Sequence, residues 1–203
     1  MIKSLFCQAQ IKMTVHYEAF SKPSQEFITK KLYPTIISLG GVYNTWLDVE
    51  LIPYGLSKTT WLNGPKTTCH NGEAECNENK LHSCAIRKLR FEDAFSYINC
   101  TMTNSHLPTG SSECGKTILG TDYKKVTFCA GSWEGDVLLA ANGITASSLE
   151  PPLLTLPRIL LGGHFTPHSF DAEEKDWVGL LCNKWKAGDA NLPPLCDAKV
   201  AAF

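Results

Sequence analysis

Apolar and polar residues alternate through Ile11-Lys-Met-Thr-Val-His-Tyr17, the period of a strand. Beyond the polar link Ser21-Lys22-Pro23-Ser24 the period changes. Phe27, Ile28, Leu32, Ile36 and Leu39 recur at helical spacing until Gly40-Gly41 ends the pattern. Pro23 suits a first helical turn, where its missing N–H would be unpaired anyway, and Ser21 suits the N-cap. Trp46 to Pro53 predicts a second strand. Strand, helix and strand in succession make a βαβ unit, whose right-handed crossover implies a parallel pair.

Residues 54–80 are turn-rich, with Asn63-Gly64, Pro65 and Asn71-Gly72. Leu81, Cys84, Ala85, Leu89, Ala94 and Phe95 form a stripe that predicts a helix over Lys80 to Tyr97. His106 to Gly115 reads as a loop, and Val137 to Ala141 as part of a short helix. Leu153 to Leu161, then Gly162-Gly163, then His164-Phe165 predict two strands around a tight turn. A terminal helix over Asp171 to Lys186 presents Trp177, Leu180, Leu181 and Trp185. The order βαβ, helical insertion, ββα is an α/β arrangement of thioredoxin-like kind. Its core spans 11–55 and 151–187 and its insertion spans 56–150. Tails of 1–10 and 188–203 complete the division.

At 203 residues, 43% of them hydrophobic, the chain suits one domain with a real core. The formal net charge is -1 with both signs well mixed. That balance gives no reason to expect nucleic acid or an anionic membrane as partner. No apolar run approaches the ~20 residues of a membrane-spanning helix. The opening Met1-Ile-Lys-Ser-Leu-Phe-Cys7 carries a positive charge but its apolar stretch is too short for a signal peptide, so the expectation is that a leader has been removed or that the sequence begins just inside the mature protein.

Cysteine changes the picture. Nine are present, at 7, 69, 76, 84, 100, 114, 129, 182 and 196, and no two form Cys-x-x-Cys. The histidines do not fall at zinc-ligand spacing either. A disulfide framework is the better reading than a metal site, and it belongs to an oxidising, extracellular compartment. Cys7 is the odd one: a free thiol, a link between two copies, or part of an unordered tail. No cofactor motif is present.

Residues 69–84 resemble the signature Cys-Gln-His-Gly-x-x-Glu-Cys-x-x-Asn-x-x-x-x-Cys of the gamma-interferon-inducible lysosomal thiol reductase family. Cys69, Gly72, Glu75, Cys76, Asn79 and Cys84 fall in register, while His70 and Asn71 depart from the pattern. Tyr17-Glu18-Ala19, Leu32-Tyr33-Pro34 and Leu51-Ile52-Pro53-Tyr54-Gly55 are similar to further family segments. The chain looks like arthropod, specifically mosquito, members that lack the active-site cysteines. The resemblance implies a thioredoxin-like reductase scaffold and a C-terminal bridge between Cys182 and Cys196. It also implies a cis-proline at Pro157, an ordinary strand-entry proline being the plainer reading. Cys100 with Cys114, like Cys182 with Cys196, closes a loop of stabilising length. Cys69, Cys76, Cys84 and Cys129 then pair among themselves in one of three ways.

Family reductases carry Cys-x-x-Cys or Cys-x-x-Ser between the first strand and its helix, where backbone N–H groups and the helix dipole lower a thiol's pKa. The corresponding residues here are Ser21, Lys22, Pro23 and Ser24. A hydroxyl cannot form an exchangeable bridge, and no base or Gly-x-Ser-x-Gly elbow activates either serine as a hydrolase. The expectation is a secreted pseudoenzyme that binds a protein or cell surface, as a monomer or a Cys7-linked dimer. A residual oxidoreductase using other cysteines is the alternative. Asn99-Cys100-Thr101 is the single N-glycosylation sequon, and a bridged Cys100 would make its use inefficient.

Overall fold

The structure, a computed structural model, describes residues 10–40, 43–107, 109–165, 177–187 and 192–196. The chain starts with β1 (Ile11–Tyr17) and turns into α1 (Lys22–Phe27). A π-helical segment, Ile28–Leu32, connects α1 to α2 (Tyr33–Leu39). The apolar spacing reads as one helix over this stretch. Pro34 explains the interruption: it has no N–H for an i→i−4 bond, and the π turn just before it absorbs the mismatch. A short α3 (Tyr43–Trp46) leads into β2 (Leu47–Pro53), so Trp46 ends a helix instead of starting the strand.

β1 and β2 pair in parallel from Ile11↔Leu47 to Tyr17↔Pro53, the arrangement a right-handed crossover requires. β5 (Arg158–Leu161) lies antiparallel on the other side of β1, and β6 (His164–Phe165) completes the order β2-β1-β5-β6. Residues 153–157, expected as strand, are irregular. The bonds Glu150–Pro151 and Leu156–Pro157 are both cis. The final helix α9 covers Trp177–Ala187; the start expected at Asp171 lies outside the described residues.

Met13, Val15 and Tyr17 point to one face of the sheet. There they meet Phe27, Ile28 and Leu32 of the first helix, Phe95 and Ile98, and Trp177 and Trp185 of α9. Trp177 stacks edge-on against Phe27 at 5.0 Å, and its indole N–H donates to Thr35 Oγ1. Fully buried side chains of this kind contribute roughly 1.5–3 kcal/mol each.

Between β2 and β5 the chain is mostly helical. A small hairpin, β3 (Lys58–Thr60) with β4 (Lys66–Thr68), precedes α4 (Glu73–Lys88) and α5 (Phe91–Thr103). The helix predicted over 80–97 is therefore two helices. Leu89 and Arg90 are extended between them, and Leu89 N–H closes α4 on Ala85 O. α4 also starts seven residues earlier than the start expected at Lys80. The expected loop 106–115 contains α6 (Gly110–Cys114). α7 (Tyr123–Ala130) and the full length of α8 (Trp133–Ser147) go beyond the short helix expected near 137.

Candidate functional site

Ser21 stands at the N-cap position of α1 with extended backbone, but its hydroxyl makes no capping bond. The side-chain cap expected there is replaced by backbone contacts: Ser21 N–H donates to Glu18 O at 3.3 Å, and Ser21 O accepts from Gln25 N–H at 2.9 Å. Ser24, one turn on, is fully buried and its hydroxyl has no hydrogen-bond partner. Lys22 and Pro23 are exposed. One hydroxyl thus sits at the edge of solvent and the other is sealed beneath the helix.

The loop from Glu18 to Phe20 that delivers Ser21 is gripped by α4. Asn79 Oδ1 accepts from Ala19 N–H at 3.0 Å, and Glu75 Oε2 accepts from Phe20 N–H at 3.3 Å. Asn71 donates to both Glu75 oxygens, from its backbone at 2.9 Å and its side chain at 2.7 Å. It also reaches Glu18 Oε2 at 3.4 Å, with His70 Nδ1 at 3.3 Å from the same oxygen. Leu56 N–H holds Glu18 Oε1 at 2.6 Å. Burial raises the Glu18 pKa and the nearby Glu75 charge adds to this, against the opposing bonds from Leu56 and His70. Gly55 has φ +62, and a Cβ there would overlap the Glu18 side chain, so only glycine lets the two approach.

Each signature residue has a place in this clamp. Cys69 and Cys76 form a disulfide that closes the turn before α4. Gly72 enters the helix at φ +88, a conformation costly for other residues. Glu75 and Asn79 hold the loop backbone, and Cys84 ties α4 to α7 through Cys129. Cys100 pairs with Cys114 and Cys182 with Cys196. Cys7 lies outside the described residues.

Beneath the clamp, the Tyr17 hydroxyl lies 3.1 Å from His82 Nδ1, and His82 Nε2 lies 2.7 Å from Thr101 Oγ1 and 3.2 Å from Glu78. Burial alone would raise the Glu78 pKa; bonds and charge from His82, with Ser111 and Thr101, outweigh it and hold the carboxyl below its usual value. A cavity of about 390 Å³ opens beside this network, lined by Ala19, Phe20, Glu78, Thr101, Ser105 and His106 among others. Sequence reading did not single out Glu18, Gln25, Glu78 or His82 for this site. The available signal was the spacing Glu75, Glu78, Asn79, His82, which puts four polar residues on one helix face.

Pro157 lies at the same end of the sheet. The register between β1 and β5 ends at His16↔Arg158, so Pro157 lies just ahead of the strand residue paired with His16, at the end of β1 that leads to Ser21. Arg158 donates from its guanidinium to Pro151 O and Pro152 O, holding the segment ahead of Pro157. His16 is fully buried with neither ring nitrogen bonded. Burial lowers its pKa to about 4, with Arg158 adding to the effect and Glu50 opposing it. Asn99 lies within α5, and its side-chain oxygen is buried.

The family described as gamma interferon inducible lysosomal thiol reductase (GILT) matches residues 12–118, which include all of β1 but Ile11, the clamp and the whole signature. GILT-like protein 1 of Drosophila melanogaster is 27% identical over 212 residues, covering 97% of this chain and 82% of that protein. A gamma-interferon-inducible lysosomal thiol reductase-like protein of Anopheles gambiae is 31% identical over 166 residues, 75% and 67% of the two chains. Among solved structures, DsbA of Chlamydia trachomatis superposes with a TM-score of 0.61 over 90% of both chains at 16% identity. BdbD of Bacillus subtilis gives 0.60 over 87% and 88% at 8% identity, and at such identities the shared feature is the thioredoxin-like fold. With its signature in register and its fold matched, the chain belongs to the gamma interferon inducible lysosomal thiol reductase family.

Proposed function

We propose that this chain is a secreted member of the family that does not reduce disulfides and acts by binding a protein or a cell surface. The observation that carries the reading is Ser21-Lys22-Pro23-Ser24 at the strand–helix junction, the position where the resemblance places the reactive pair. Reduction of a disulfide needs a thiolate to attack one sulfur and a second thiol to resolve the mixed disulfide that forms. Two hydroxyls supply neither. The eight cysteines among the described residues are joined in four bridges, which leaves no free thiol there to take the place of the missing pair. Cys69 and Cys76 are only 6% and 8% exposed, which disfavours attack on that bridge from solvent.

The test is an insulin-reduction assay of the intact protein beside a Ser21→Cys/Ser24→Cys variant. The wild type is expected to show no turnover and the variant to gain it. Turnover by the wild type overturns the proposal. A variant that folds, closes the new bridge and stays inactive overturns the assignment of positions 21 and 24.

A further inference from the structure

We propose that the tip of the β3–β4 hairpin, backed by the outer face of α8, inserts into the headgroup region of an anionic phospholipid bilayer. The strands pair from Lys58↔Thr68 to Thr60↔Lys66, so Trp61-Leu62-Asn63-Gly64-Pro65 forms a protruding tip. Leu62 is 93% exposed and Trp61 55% exposed. Behind them α8 presents Trp133 and Ile144, also largely exposed, with Val137 between them. These residues form one surface. Gly64 packs so closely on the Trp133 ring that a Cβ would overlap it, and Trp61 and Ile144 line a common groove with Lys58.

Isolated exposed apolar residues are ordinary; two tryptophans, a leucine and an isoleucine joined in one patch are not. Their setting favours lipid over protein. The most exposed side chain, Leu62, sits in the turn of the hairpin with no groove of its own, so a partner protein would have to supply the cavity, and tryptophan favours the bilayer interface. Lys58 and Lys66 flank the tip, both exposed and without an ion-pair partner among the described residues. The acids of α8 are neutralised: Glu134 pairs with Lys88 at 2.7 Å and Asp136 with Lys80 at 3.3 Å. From Val137 to Ser147 the helix carries no charge. The near-zero net charge of the whole chain gave no pointer to such a surface. The hairpin creates it by setting two lysines on either side of an apolar tip. The inference stands apart from the loss of reductase activity, since it uses none of the residues at the strand–helix junction.

Co-sedimentation with phosphatidylcholine vesicles, with and without phosphatidylserine, tests it. The protein is expected to pellet with the anionic vesicles and its tryptophan emission to shift to the blue. Lys58→Ala with Lys66→Ala should weaken binding about fivefold per lysine. Trp61→Ser with Leu62→Ser should abolish it while leaving the melting temperature unchanged; should that variant unfold, the lysine pair carries the test alone. No binding by the wild type, or lysine variants that bind as well as the wild type, overturns the proposal. So does a wild-type dimer in solution that Leu62→Ser dissolves, which makes the patch a protein contact.

Discussion

Ala19 and Asn79, sixty residues apart, are joined by a 3.0 Å hydrogen bond from the backbone N–H of one to the side-chain oxygen of the other. Both residues are buried, so the amide has no water to fall back on. Asn79→Ala leaves that N–H unsatisfied and is expected to cost about 1–3 kcal/mol. Urea unfolding measures the loss, and hydrogen exchange at Ala19 should accelerate more than exchange in β1. Unchanged exchange at Ala19 would remove the clamp from the account.

Ser24 offers a change in the opposite direction. Its hydroxyl is buried with no partner, a desolvation cost with nothing to offset it. Ser24→Ala deletes that group while leaving a void smaller than a methyl, and stability should rise by about 1 kcal/mol. Chemical denaturation reads the sign directly. Destabilisation would mean that the hydroxyl is bonded in solution.

His16 sets a pH dependence. Its folded pKa of about 4 lies below the ordinary 6.5, so the unfolded chain binds the proton first as pH falls. Its contribution to stability is therefore complete above the unfolded value and lost as pH drops from 6.5 towards 4, by up to about 3 kcal/mol. Glu18 runs the other way: its raised pKa makes stability fall as pH rises above 4.5. Comparing wild type with His16→Leu isolates the histidine. The difference in unfolding free energy between the two should widen in favour of the variant across this window, and a constant difference would refute the assignment.

The bridges differ in what they restrain. Cys84–Cys129 spans 45 residues and Cys100–Cys114 spans 14. In the chain-entropy relation, replacing both cysteines by alanine costs about 4 kcal/mol for the first and about 3 for the second. Thermal unfolding of the two double variants should rank them in that order. A reversed ranking would show that native contacts, not loop length, set the cost.

The parts of the fold legible in the sequence were those with one apolar face. β1, β2 and the first helix follow their periods to within a residue or two. α4 did not, because its first turns bury Glu75, Glu78 and Asn79 in place of hydrophobes, and a polar core face carries no hydropathy signal. α8 was truncated for the opposite reason: apolar residues run round the whole helix, so no stripe stands out. The break at Leu89-Arg90 has no glycine or proline to announce it. Ser21, Ser24 and the signature were legible as motifs, yet the pairing of Cys84 with Cys129 depends on where α7 lies, and nothing in the spacing gives that.

A clamp that takes hold of main-chain amides is indifferent to what the loop displays. Asn79 and Glu75 grip the peptide groups of Ala19 and Phe20, which every residue type but proline provides. Sulfur can be exchanged for oxygen at the next residue, Ser21, without loosening that grip. The hold on the loop is thereby independent of the side chain at position 21, and the surface there can be rewritten while the chain around it keeps its shape.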